Sequence, residues 1–174
     1  DVLYEAWIKR MGEAGFNSLR IYTLHPPVFY EKLANYNNRH PENPIFLFQG
    51  IWLDEVDNPG DPTGSDLFTR SASFKAGIEE IINCIHGNKN IAFRPGRAYG
   101  NYTTDISRWT AGYILGREIS PDEVENTNTL HPSQTSFTGS NFSISAASAT
   151  DVFVTQMLDH AVSYENQKYS VRRP

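Results

Sequence analysis

Carboxylates follow two apolar runs of this sequence, and they are its candidates for acid–base chemistry. Glu118 comes after Tyr113–Leu115, a short apolar run between glycines that predicts a buried strand. Asp54 and Glu55 come directly after Ile45–Leu53, a second run that is almost wholly apolar. Ligands bind at the carboxyl ends of parallel strands in α/β architectures, and carboxylates placed there can act as general acid and base.

Each of these residues also has a structural interpretation. Glu118 could pair with Arg117 or cap a turn, and Asp54 or Glu55 could form a salt bridge within a loop. Arg20 alternates with apolar neighbours in a predicted strand, so we expect it to point inward or to be paired. Pointing inward, it would either form a structural ion pair or hold Glu118 in place.

Three aromatic side chains could stack against the apolar face of a sugar ring: Tyr22, Trp52 and Tyr99. Core packing is the alternative for each of them. The five histidines fall in no HxH or HExxH spacing, and Cys84 is the single cysteine, so the sequence supports neither a zinc site nor an internal disulfide. A GxSxG elbow, the signature of one class of acyl-transfer enzymes, does not occur.

The composition limits the function further. The chain has 174 residues and a net charge of −5 with scattered basic residues, which does not indicate a nucleic-acid partner. Its apolar runs are shorter than the roughly 18 residues of a membrane span. Since it opens on Asp1 without a start methionine, we expect a segment of a larger protein.

Hydrophobic periodicity predicts alternating helices and strands. Helices are expected over Leu3–Met11, Val28–Tyr36, Leu67–His86 and Val152–Tyr164, and strands over Asn17–Leu24, Ile45–Leu53 and the run before Glu118. Val56–Ser65 and Asp122–Ser148 are expected to be loops, and Asn90–Arg108 an irregular excursion.

This alternation predicts an α/β fold with a parallel sheet. Three strands are few for a sheet covered on both faces, and the sequence has no GxGxxG or phosphate loop to support an open doubly wound domain. We therefore predict that residues 1–174 form about half of a (β/α)8 barrel of the TIM type, strands two to four with their helices.

The segment Gly15–Thr23 resembles the second strand of clan A glycoside hydrolases, where a GxNxxR pattern places an arginine under the catalytic acid. Ile106–Glu118 is similar to the fourth strand of that clan, which ends in Asn-Glu with the glutamate as general acid/base. Ile51–Glu55 is similar to a barrel group related to glycoside hydrolase family two, as are His86-Gly-Asn, Arg94-Pro-Gly and Tyr102-Thr. The resemblance covers most of the chain.

The resemblance implies hydrolysis of O-glycosidic bonds in a β-linked oligo- or polysaccharide by a retaining two-carboxylate mechanism, with Glu118 as general acid/base and without cofactor or metal. The expected substrate-binding residues are Arg20, Tyr22, Trp52, Asp54, Glu55, Tyr99 and Arg117. The clan's nucleophile ends strand seven, which lies outside this chain. Arg117 stands where the clan has the asparagine that bonds the sugar 2-hydroxyl. A non-catalytic carbohydrate-binding or scaffold barrel is therefore the rival hypothesis.

The expected partners are a carbohydrate and, since a half barrel leaves strand edges unpaired, the remainder of the barrel or a second copy of the chain. We expect neither nucleic acid nor a membrane span. An aldolase-like or isomerase barrel is a third possibility, but it would need an inward lysine or a metal cluster. Lysines are scarce here and fall on predicted helices or loops.

Overall fold

A computed structural model describes residues 2–55 and 65–173, and the predicted loop Val56–Ser65 lies outside these residues except for Ser65. The described helices are α1 (Val2–Glu13), α2 (Pro27–Arg39), α3 (Ser71–Ile85), α4 (Pro121–Leu130) and α5 (Ala149–Tyr169). The described strands are β1 (Ser18–Ile21), β2 (Phe46–Ile51), β3 (Lys89–Ile91), β4 (Gly100–Tyr102), β5 (Thr110–Leu115), β6 (Ser136–Thr138) and β7 (Ser143–Ser145).

The strands form one parallel sheet and two antiparallel hairpins. The parallel sheet has the order β1-β2-β5, with Ser18 opposite Phe46 and Ile21 opposite Gln49. The hairpins pair β3 with β4 and β6 with β7. The prediction of a (β/α)8 barrel is wrong. Three of the described strands form the parallel sheet, and the other four form the two hairpins.

The chain divides into two compact units. The first comprises Asp1–Ile51, Glu80–Ile114 and Arg173–Pro174, and the second comprises Trp52–Glu79 and Leu115–Arg172. The division therefore falls inside α3 and at the end of β5.

In the first unit, the core lies where α1 and α2 meet one face of the sheet. Leu33 of α2 and Leu47 of β2 are completely buried, as are Ile82 and Cys84 on the α3 segment of this unit. Cys84 has a free thiol and lies near the end of α3. The alternate residues Phe46 and Phe48 of β2 remain partly exposed, so the sheet also presents an apolar face.

In the second unit, α4 and α5 pack against each other and against a 3₁₀ helix over Leu67–Arg70. Phe153 and Met157 of α5 are buried together with Leu67. The β6–β7 hairpin also packs on α5, which gives these short strands a partner.

The helices α4 and α5 each begin with a capping box that satisfies free backbone N–H groups. Ser120 and Glu123 form the box of α4, with Pro121 at the first helical position, while Ser148 and Asp151 form the box of α5. The prediction of a continuous loop over Asp122–Ser148 is therefore wrong, since α4, β6 and β7 all lie within it.

Candidate functional site

The candidate site begins where β5 ends. Gly116 follows the strand with a φ of +87°, a left-handed conformation that glycine adopts without steric cost. Arg117 and Glu118 come next, and Ser120 then starts α4. Two charged residues therefore follow this turn, and both belong to the second unit.

Arg117 holds this turn together through three acceptors. Its Nε donates to the carbonyl oxygen of Leu53 at 3.1 Å, and its Nη1 donates to the carbonyl oxygen of Glu118 at 3.0 Å. Its Nη2 lies 2.8 Å from Oε1 of Glu123. Because the guanidinium is engaged on all of its nitrogens, Arg117 positions the backbone on both sides of Glu118.

Glu123 completes a buried ion pair with Arg117. Their side chains are 5% and 6% exposed, respectively. Burial acts to raise the pKa of Glu123, but hydrogen bonds from Arg117 and from Ser120, together with the charge of Arg117, outweigh it and lower the pKa. Glu123 is therefore an anion that anchors the start of α4.

Around this ion pair lies a cavity of about 360 Å³. Its lining residues are Glu55, Ser65, Arg117, Glu118, Ser120, Asp122 and Glu123. Four carboxylates, two hydroxyls and one guanidinium make the lining strongly polar and negatively charged. Carboxylates and hydroxyls hydrogen-bond the hydroxyl groups of sugars, and a carboxylate on the wall can also transfer a proton.

The cavity unites three of the residues predicted from the sequence, since Glu55, Arg117 and Glu118 all line it. Glu118 is exposed, and the other residues that line the cavity are polar or charged. Asp54 is exposed beside Glu55, and the carbonyl oxygens of both accept hydrogen bonds from Arg70, at 3.1 and 2.8 Å. Trp52 is half-buried in the same unit and is not among the lining residues.

The remaining predicted residues belong to the first unit. Arg20 lies on the exposed side of β1. Its guanidinium carbon lies 4.3 Å from the centroid of the Tyr22 ring, a cation–π contact. Tyr99 is exposed next to Phe93, with the ring centroids 5.0 Å apart. Tyr22 and Tyr99 are thus surface aromatics, and neither packs in the core.

The sequence analysis missed four of the lining residues: Ser65, Ser120, Asp122 and Glu123. A signal for three of them was present, because Ser120-Pro-Asp-Glu123 has the spacing of a capping box with proline at the first helical position. Pro121 is the first residue of α4, where a proline costs no intrahelical hydrogen bond.

The part of the chain that the structure describes contains no group of three or more histidine, cysteine, aspartate or glutamate side chains arranged to bind a metal ion. Within residues 2–55 and 65–173, none of the helices combines the length and the apolarity needed to cross a bilayer.

Comparison with known proteins gives no match to this chain, whether with protein-family models, with curated proteins or with solved structures.

Proposed function

We propose that the protein hydrolyses O-glycosidic bonds of a β-linked oligo- or polysaccharide, with Glu118 as the general acid/base. The observation that carries this proposal is that Glu118 and Glu55 line the same cavity. Hydroxyl groups of Ser65 and Ser120 line it as well and suit a polyhydroxylated ligand.

In the proposed mechanism, Glu118 protonates the leaving glycosidic oxygen while the Glu55 carboxylate attacks the anomeric carbon and forms a glycosyl ester. Glu118, now a carboxylate, then removes a proton from water. The resulting oxygen nucleophile displaces Glu55, which restores both side chains and retains the anomeric configuration. Neither step requires a cofactor.

A second candidate function is carbohydrate binding without hydrolysis. Two observations favour it: Glu118 is exposed, and each nitrogen of the Arg117 guanidinium already donates to a protein acceptor. A general acid is usually kept protonated by a partly buried environment, whereas a side chain that only hydrogen-bonds a sugar needs no such environment.

We also propose a second copy of the chain as a partner. In the described sheet, β1 and β5 are the outer strands and each has β2 as its one neighbour. Outer strands present backbone N–H and C=O groups that a strand of another chain can pair with. The apolar side chains of Phe46 and Phe48 on the exposed face of the sheet would favour the same association.

The test compares the protein with its Glu118→Gln and Glu55→Gln variants on β-linked oligosaccharides and on activated aryl glycosides. General acid catalysis contributes about 10²–10⁴-fold, so Glu118→Gln should lower turnover of oligosaccharides by that factor and affect aryl glycosides far less. Glu55→Gln should abolish turnover of both substrates. Glu125→Gln, an exposed substitution on α4 outside the cavity, is the matched control.

Three results would each contradict a part of the hydrolase proposal. If the protein binds oligosaccharides but cleaves none, the second candidate function is correct. If turnover occurs and Glu118→Gln changes neither substrate class, Glu118 is not the acid/base. An inverted product anomer, observed by NMR, would exclude Glu55 as the nucleophile.

A further inference from the structure

A second cavity, of about 300 Å³, lies in the first unit between α1 and α2. Its lining residues are Glu5, Lys9, Lys32, Asn35, Tyr36, Arg39 and His40. It has no residue in common with the carboxylate-lined cavity. The net charge of its lining is positive, whereas that of the carboxylate-lined cavity is negative.

The lining carries three permanent cations and one carboxylate. Nζ of Lys32 lies 3.1 Å from Glu5, and Nη1 of Arg39 lies 3.7 Å from the same carboxylate, so one anion is shared by two cations. Nζ of Lys9 lies 3.6 Å from Glu13, which does not line this cavity. The cavity is therefore locally cationic within a chain whose net charge is −5.

The fold itself does not account for this concentration of positive charge. Arg39 sits in the last turn of α2, where a cation interacts favourably with the helix dipole, but Lys32 lies in the middle of that helix. Ion pairs between exposed side chains contribute little to folding. Lys9 and Arg39 are mostly exposed, at 69% and 68%, so stability does not explain their placement around one cavity.

One wall of the cavity is aromatic. The rings of Tyr36 and His40 are stacked, with centroids 4.4 Å apart and planes inclined by 29°. A Cβ atom at Gly12 of α1 would overlap the hydroxyl group of Tyr36, so this glycine is what lets the tyrosine lie against α1. The cavity thus combines an apolar surface with basic side chains.

We propose that this cavity binds a small molecule that carries a phosphate or sulfate ester. Lys9, Lys32 and Arg39 would contact the oxyanion, with the arginine able to present two parallel N–H donors. The stacked Tyr36 and His40 would contact the organic part of the ligand. A volume of about 300 Å³ is at the lower end for ligand cavities, so the site fits a small ligand and excludes a polymer.

The test is a titration of the intact chain with inorganic phosphate, glycerol phosphate and methyl sulfate at constant ionic strength, followed by calorimetry and NMR. Saturable binding of glycerol phosphate or methyl sulfate supports the proposal and identifies the ester. Arg39→Gln and Lys32→Gln should each weaken that binding about tenfold or more, because each removes a charged hydrogen bond. Arg10→Gln, exposed on α1 and outside the lining, is the control.

Glu5→Gln provides a test in the opposite direction. Removing the carboxylate that two cations share should strengthen oxyanion binding, whereas a purely structural role for the ion pairs predicts weaker binding or none. The proposal is overturned if neither ester nor inorganic phosphate binds saturably. It is also overturned if Arg10→Gln weakens binding as much as Arg39→Gln does, since that result indicates a diffuse charge effect.

Discussion

The buried pair of Arg117 and Glu123 shows how single residues link the strand end to the next helix. Arg117 follows β5 after Gly116, and Glu123 is the third residue of α4. Their contact fixes the backbone at Glu118, the proposed acid/base, without occupying the carboxylate of Glu118 itself. A substitution at either residue should therefore affect stability first and the cavity second.

We predict that Glu123→Gln destabilises the protein by about 3–5 kcal/mol, because it leaves the buried Arg117 without its countercharge. Denaturant unfolding measures this change. The exposed Glu125→Gln on the same helix should change the free energy of unfolding by less than about 0.5 kcal/mol. Equal effects of the two substitutions would show that the ion pair is not important for stability.

The pH dependence of the same variant has a defined sign. The pKa of Glu123 is lowered from its ordinary value of 4.5 in the folded protein, so its contribution to stability is complete above that value. The contribution is lost as the pH falls through the lowered pKa of the folded state. Glu123→Gln should therefore unfold with a weaker dependence on pH below about 4.5 than the parent chain, as measured by thermal melts.

Residue chemistry was only partly predictable from the sequence. Glu118 and Glu55 could be proposed because each follows an apolar run, and the cavity does contain both. The solvent exposure of Arg20 could not be predicted, because alternation gives two faces of a strand without saying which face is covered. The β1–β2 register puts Arg20 opposite Phe48, on the exposed side.

At the scale of elements, the close packing of α1 against α2 depends on a glycine, a residue without a side chain. Gly12 lies inside α1, where a glycine ordinarily weakens a helix, yet a Cβ there would overlap Tyr36 of α2. Gly77 lies inside α3 and has no atom within 4 Å of the position of an added Cβ. Each glycine lowers the helix propensity of its segment, but only Gly12 lies where a side chain would meet a neighbouring helix.

We predict that Gly12→Ala destabilises the protein by about 1–3 kcal/mol, because Tyr36 must move, and that Gly77→Ala stabilises it by about 0.5–1 kcal/mol. Thermal or denaturant unfolding distinguishes the two effects. Adding Tyr36→Ala to Gly12→Ala should remove most of the glycine substitution's own penalty. If Gly12→Ala is as stabilising as Gly77→Ala, the two helices do not pack closely at this point.

Long, periodic elements could be predicted, and short ones could not. α1, α2, α3 and α5, together with β1, β2 and β5, follow the apolar periodicity of the sequence. The strands β3, β4, β6 and β7 have three residues each, too few to show a period of two. Contacts distant in the sequence support them: Asp159 of α5 accepts hydrogen bonds from the backbone of Asn141 and Phe142 in the β6–β7 turn.

At the scale of the whole molecule, alternating strands and helices correctly indicated a parallel sheet but not its extent. The extension from three strands to a barrel came from the expectation that three strands are too few for a sheet covered on both faces, and local sequence contains no information about how many strands a sheet will have. The described residues pair three strands and leave β1 and β5 as outer strands.

We predict that the purified chain forms a dimer at micromolar concentration through this sheet, and that Phe48→Glu shifts it toward monomer. A charge on the exposed apolar face would have to be desolvated on association. Light scattering coupled to size-exclusion chromatography over a range of concentrations measures the mass. Val154→Glu, a substitution at a partly exposed residue of α5, is the control. A chain that is monomeric at every concentration would contradict the proposed partner.

The single cysteine makes the first unit's opening measurable by chemical labelling. Burial raises the pKa of the Cys84 thiol to about 12, and the side chain has no exposed surface. A thiol reagent therefore reacts with the native chain only when α3 transiently separates from its neighbours. Under mild conditions, the labelling rate reports how often this helix opens, without any added probe. A cysteine introduced elsewhere on the surface would be modified first, so the natural chain already suits site-specific attachment of a dye.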